Sequence, residues 1–319
     1  MQSVLELHTY LSDELKQVDS TLKASLETPV PIIKTLGINI LSAGGKRLRP
    51  LLTLASAKIF TPTPPLEAIY LASAVELIHT ATLIHDDVLD ESQLRRGVKT
   101  ANNLWGNACS ILVGDFLFAR SFELMVKCND FNILTKLSKT SGLICQGEVK
   151  QLTLLNNTET STADYFDVIK LKTASLFKTA CFAGAKIAGA TNDEADIMAS
   201  FGENLGISFQ IIDDILDYSQ TAEAMGKQPG DDYLEGKMSL PVIELLKIKP
   251  DLKPIFLDKN MQNFETIKQE MFNHDIFSLC YQQAQSFTTK ATQNLKYLPE
   301  NDIKNNFSNV AHEVLNRAA

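Results

Sequence analysis

Residues 67–90 read EAIYLASAVELIHTATLIHDDVLD, a run in which apolar side chains return every three to four positions until a pair of aspartates and a third close it. That period belongs to a helix, and nothing in the run alternates as a half-buried strand would. The same spacing recurs over 110–128, 164–189, 195–218 and 279–297, and strand signals are scarce throughout, so the chain reads as all-α. Short clusters of Gly, Pro, Asn, Ser and Thr punctuate these windows at 42–50 (SAGGKRLRP), 61–65 (TPTPP), 156–162 (NNTETST) and 226–232 (GKQPGDD). None has the length of an interdomain linker, which predicts one domain over residues 1–319.

Composition narrows the class. The 319 residues are 45% hydrophobic and 21% charged, ample for a substantial core. A formal net charge of -8 and a pI near 5.2 argue against nucleic acid, because neutralising a phosphate backbone needs a face rich in Lys and Arg. Any basic site must be local. The five cysteines are odd in number and widely spaced, which fits neither a zinc site nor a disulfide framework and predicts a reducing compartment. No uninterrupted apolar run reaches the length of a membrane span, and the first residues are amphipathic, so a cytoplasmic protein with no transmembrane segment is expected.

Two windows carry the chemistry, LIHDDVLD (83–90) and QIIDDILD (210–217), with no sustained repeat around them. On a helix Asp86 and Asp90 share a face with Asp87 beside them, and Asp213, Asp217 and Asp214 reproduce the pattern. Such carboxylates repel one another, and in apolar surroundings they are costly to bury unpaired. A hard divalent cation offsets them best, since magnesium prefers oxygen ligands and joins one or two carboxylates to substrate phosphates. The plain alternative is a solvated acidic helix end. Two copies embedded in Ile, Leu and Val favour the cation.

Basic residues supply the counterpart. In GGKRLRP (44–50) the glycines permit a tight turn, and Lys46 and Arg49 are expected on one side of an emerging helix, Arg gripping phosphate bidentately and Lys acting as a point charge. Arg95 and Arg96 precede Gly97 at an expected helix end, while Lys172 with Thr173, then Lys227 and Lys237, add donors near others. A basic helix cap would use the same residues. His79 stands two turns before Asp86, and Gln210 one turn before Asp214, each on the face of its cluster. A packed core residue is the simpler role for either.

Taken together, GGKRLRP, ELIHTATLIHDDVLDESQLRRG, FQIIDDILDY and GDDYLEGKMSLP, in this order between about residues 30 and 245, resemble the trans-polyprenyl diphosphate synthases. Within that family the likeness is to long-chain octaprenyl diphosphate synthases, which implies quinone side-chain biosynthesis. The resemblance implies an antiparallel helical bundle around a deep central cavity, usually a homodimer, taking isopentenyl diphosphate and an allylic diphosphate such as farnesyl diphosphate. It makes Asp86, Asp87, Asp90, Asp213, Asp214, Lys172 and Lys237 catalytic, with Mg2+, about three ions, held by Asp86, Asp90, Asp213 and Asp217. Lys46, Arg49, His79 and Arg96 match the isopentenyl diphosphate site, and Arg95, Lys172, Thr173, Gln210 and Lys237 match contacts to the allylic substrate. Residues beyond about 250 match weakly and receive no catalytic role. The implied chemistry is ionisation, condensation and loss of a proton to the departing diphosphate, since no His or Glu stands out as a base.

Product length follows from the wall beneath the aspartates: Ala81 and Thr82, then Ile78, then Ala74 and Val75. Short-chain members of the family carry bulky aromatics at positions matching Ala81 or Thr82; here that plug is absent. Each further helical turn without a ring adds about 5.4 Å of tunnel. Phe118, Phe122 and Met125, from the helix expected around 111–127, are candidates for the floor or for ordinary packing. A medium-chain, geranylgeranyl-type synthase and a non-catalytic regulatory subunit are the alternatives. A cyclase would lack the second DDxxD and GGKRLRP, and a hydrolase would release phosphate without isopentenyl diphosphate.

Overall fold

A computed structural model of the chain describes residues 2–42, 45–95, 97–219 and 230–318. Its helices are α1 (Gln2–Tyr10), α2 (Ser12–Ser25), α3 (Pro31–Ser42), α4 (Leu48–Phe60), α5 (Leu66–Leu89), α6 (Ala101–Trp105), α7 (Asn107–Lys127), α8 (Phe131–Leu154), α9 (Thr162–Ile169), α10 (Ser175–Ile187), α11 (Asn192–Ser219), α12 (Asp231–Glu235), α13 (Leu240–Ile248), α14 (Lys253–Leu257), α15 (Met261–Asn273), α16 (Ile276–Gln293) and α17 (Asp302–Leu315). Among the described residues the one strand pair is β1 (Leu94–Arg95) with β2 (Val98–Lys99), antiparallel, with Leu94 opposite Lys99. The all-α expectation holds, and the five periodic windows fall on α5, α7, α9 to α10, α11 and α16.

The centre of the fold is α5, which packs against α4, α7 and α10, while α10 lies along α11 and α11 along α16. Alanines at 68, 72, 74 and 81 of α5 are fully buried and let the neighbouring helices approach closely. This helix is long and apolar enough to cross a membrane, but 72% of its most apolar window is buried inside the protein. One apolar cluster joins α4, α5 and α10 to Phe307 and Val310 of α17. A second gathers the C-terminal half of α11, α13 and α16.

Local chemistry sets the element ends that matter for the site. Asp130 starts α8 by accepting from the N–H groups of Asn132 and Ile133 at 2.9 and 3.0 Å. Ser161 and Asp164 form a reciprocal capping box at α9. The periodicity over 164–189 predicts a continuous helix, but between α9 and α10 the chain widens into a π-helical turn, Lys170–Ala174. Gly147 of α8 touches that turn: a Cβ there would lie 2.7 Å from the Lys172 backbone nitrogen. Such insertions re-aim side chains, here Lys172 and Thr173.

Candidate active site

Two ends of long helices bring the carboxylates together. α5 stops at Leu89, with the Asp90 N–H bonded to the Asp86 carbonyl oxygen at 2.8 Å, so the first cluster sits on an open helix end. α11 runs on to Ser219, two residues past the second cluster. Asp213 is partly exposed, whereas Asp214 and Asp217 are 4% and 1% exposed.

Each cluster is matched by cations. Lys172 lies 3.9 Å from Asp86 and 2.6 Å from Glu148, and donates to Gln151 at 2.9 Å. Lys237 donates to Asp90 at 3.1 Å and stands among Glu235 and Asp232. Burial alone would lower the Lys237 ammonium, but the carboxylates of Asp232, Asp90 and Glu235 outweigh it and raise its pKa. Arg95 grips Asp87 with Nε at 2.7 Å and Nη2 at 2.6 Å. Burial raises the Asp86 carboxyl to about 6, against the pull of Lys172, and raises Asp87 despite Arg95. These carboxylates are therefore poorly solvated and favour a cation more strongly than surface aspartates would.

Several positional expectations change. Arg95 is not at a helix end: it lies in the β1–β2 hairpin and reaches back to α5, because five residues follow the cap before the chain turns. Lys172 lies in the π turn that joins the end of α9 to the start of α10. Lys46 precedes α4, which begins at Leu48, so it shares no helix face with Arg49. Gly45 holds a φ of 142° and Arg47 a left-handed φ of 44°, the latter fixed by bonds to Glu76 at 3.1 Å and the Leu41 carbonyl at 3.0 Å. Asp217, expected as a metal ligand, is buried and accepts from the Asp232 N–H at the start of α12 at 3.3 Å. Arg96, Gly44 and Lys227 lie outside the described residues.

Asp214 is the centre of a buried relay. Tyr165 donates to one of its oxygens at 2.7 Å and the Gln210 side-chain amide to the other at 2.9 Å, while the Thr173 hydroxyl donates to Gln210 Oε1 at 2.9 Å. Burial, aided by Asp232, raises this carboxyl to about 7. The relay fixes Gln210 and Thr173 at the cavity wall.

The cavities divide by charge and share a wall. An open basic cavity of about 430 Å³ is lined by Lys46, Arg49, His79, Asp213 and Arg317. Its neighbour, about 280 Å³, is lined by Thr82, Asp86, Glu148, Lys172, Thr173 and Gln210. Arg49, His79, Leu83, Phe209 and Asp213 line both. Arg49 donates to His79 Nε2 at 3.1 Å and stacks 4.4 Å from the Phe177 ring. His8 of α1 donates to the Lys46 carbonyl oxygen at 2.7 Å and braces that loop.

Arg317, in the 3-10 turn Asn316–Ala318, was not found by the sequence reading, which gave no role beyond residue 250. It pairs with Asp213 at 2.8 Å across the basic cavity. Glu148 was also missed. Neither residue sits in a motif, and only the packing of α17 and α8 brings them in.

Of the chain-length positions, Thr82 lines the second cavity and donates to the His79 carbonyl at 2.7 Å. Ala81, Ile78, Ala74 and Val75 are fully buried behind it. Met125 is buried and Phe118 packs beside His85, but Phe122 is exposed on the outer side of α7 in the single chain. Among the described residues no three His, Cys, Asp or Glu side chains are grouped to hold a metal by themselves. The donors fit magnesium nonetheless in chemistry: all are carboxylate oxygens, Asp86 and Asp90 lie one helical turn apart at the end of α5, and phosphate and water complete such sites.

Comparison with known proteins gives the family. The sequence profile of the polyprenyl synthetase family matches residues 30–274. Octaprenyl diphosphate synthase of Haemophilus influenzae is 35% identical over 323 residues, covering 99% of this chain and 98% of that one. The crystal structure of a decaprenyl diphosphate synthase from Rhodobacter capsulatus superposes with a TM-score of 0.94 at 37% identity, covering 99% of both chains. A polyprenyl synthase from Caulobacter crescentus, crystallised with calcium and isoprenyl diphosphate, superposes with a TM-score of 0.95 at 37% identity, over 99% of this chain and 98% of that one. The chain thus belongs to the polyprenyl synthetase family, the trans-polyprenyl diphosphate synthases.

Proposed function

We propose that this chain is a magnesium-dependent prenyltransferase that extends farnesyl diphosphate or another allylic diphosphate with isopentenyl diphosphate to octaprenyl diphosphate. One observation carries the reading: two cavities, one basic and one carboxylate-lined, meet at a common wall of Arg49, His79, Leu83, Phe209 and Asp213. Two diphosphates held on either side of it bring their reacting carbons together.

Lys46, Arg49 and His79 hold isopentenyl diphosphate on the basic side. Lys172, Lys237, Arg95 and the Thr173–Gln210 pair hold the allylic diphosphate on the other. Asp86, Asp90 and Asp213 would hold magnesium, which when bound supplies Lewis-acid neutralisation of the charge that grows on the leaving diphosphate. Asp87, Asp214 and Asp217 act behind them, fixing Arg95, the Gln210 relay and α12. As the allylic C1–O bond breaks, Lys172 and Lys237 stabilise the departing oxygen in a site already poor in water. The double bond of isopentenyl diphosphate attacks the allylic carbon, and the proton then lost goes to the released diphosphate.

Tail growth is directed by contrast between the helices. Four to five residues before the first DDxxD stand Thr82 and Ala81; four before the second stands the ring of Phe209. The small side therefore accepts the lengthening tail. Relatives named for octaprenyl and decaprenyl products accord with a long chain. Exposed apolar side chains on adjacent α7 and α8, among them Leu112, Phe122, Val126, Val149 and Leu152, form the face for a homodimer. The reading places the enzyme in the cytoplasm.

Diphosphate release tests the reaction class. It should require magnesium, an allylic diphosphate and isopentenyl diphosphate together, and stop with chelator. Release without isopentenyl diphosphate at an equal rate would make the protein a hydrolase.

A further inference from the structure

Arg317 is a cation that no family motif supplies, placed on a carboxylate that the reading above gives to magnesium. Its Nη1 lies 2.8 Å from Asp213 Oδ1, and its guanidinium stacks 5.0 Å from the Phe209 ring, one turn before Asp213 on α11. Both partners are partly exposed, 26% and 35% by side chain, so the pair can open without unfolding. The turn that carries Arg317 is firmly held. α17 before it packs Phe307 and Val310 into the main core, and Glu313 accepts the backbone N–H groups of Ser3 and Val4 in α1.

We propose that Arg317 is the resident counter-cation of Asp213, which competes with the divalent ion for that carboxylate and so sets the affinity of the site before substrate arrives. The inference rests on the assignment of Asp213 as a metal ligand. A guanidinium paired by charge with a carboxylate leaves less negative charge for a second cation, so the two compete for it. The displaced group remains among Lys46, Arg49 and His79, where it adds positive charge to the basic cavity. Lys172 and Lys237 are each held by two or more other carboxyl or amide partners, whereas Arg317 forms its ion pair with Asp213.

Manganese alone, followed by the loss of free-ion signal in electron paramagnetic resonance, reads the competition without substrate or turnover. Arg317→Gln should bind Mn2+ up to about fivefold more tightly than the wild type, as expected for a part-exposed ion pair. Arg317→Lys, which keeps the charge, should stay near the wild type. In chelator Arg317→Gln should melt below the wild type, and saturating Mn2+ should close that gap, which a merely structural role would not do. Equal Mn2+ affinity in wild type and Arg317→Gln, or a melting gap that Mn2+ leaves open, overturns the proposal. If the wild type binds no Mn2+ at all, the metal assignment of Asp213 itself falls.

Discussion

The two aspartate triplets are nearly identical as sequence and differ as structure. In α5 the triplet lies where the helix ends, and Asp86 and Asp90, which line separate cavities, meet Lys172 and Lys237. In α11 Asp213 lies on the wall shared by the basic and carboxylate-lined cavities, while Asp214 and Asp217 are buried and spent on Tyr165, Gln210 and the start of α12. A motif thus names candidate ligands, and burial decides which of them meet solvent and substrate.

The sharpest way to break this contrast is to remove its exposed members. Asp86→Ala or Asp213→Ala should lower kcat by about 10²-fold or more, the scale of losing a transition-state charge contact, while thermal melting stays close to wild type. Full turnover in either variant would contradict the assignment. Next in size, Ala81→Phe should shorten the product by placing a ring on the one side of the site that lacks one, as resolved by chromatography of the chains. Because Ala81 is fully buried, some stability is lost as well through overpacking. An unchanged product ladder would move the tail away from α5.

The buried members should respond in the opposite sense. Asp217→Ala leaves the Asp232 N–H short of an acceptor and should cost about 1–3 kcal/mol in denaturant unfolding, with a smaller loss of turnover per folded molecule than Asp213→Ala. Tyr165→Phe, which removes one of two donors on Asp214, should cost about 1 kcal/mol and raise KM for the allylic substrate more than it lowers kcat, since Thr173 and Gln210 are only loosened. If Asp217→Ala matched Asp213→Ala in turnover with no loss of stability, the two clusters would be equivalent after all.

Much of this was legible in the residues. Helical period located α5, α7, α11 and α16 because each buries one or more faces against neighbours, and the motif pairs brought out both triplets, GGKRLRP and Lys172–Thr173. What period cannot express is a local change of helical pitch, so the π turn at Lys170–Ala174, closely approached by Gly147 of α8, was invisible. The hairpin that carries Arg95 was missed because two-residue strands are too short to alternate. Arg317 and Glu148 were missed for a different reason: each reaches its partner only through tertiary packing, Arg317 meeting Asp213 across more than a hundred positions of chain.

Product analysis tests the central claim most directly. Purified protein given magnesium, labelled isopentenyl diphosphate and farnesyl diphosphate should yield a ladder of all-trans chains ending at the octaprenyl length. Failure to elongate any allylic primer, by folded protein that binds diphosphate, would contradict the account.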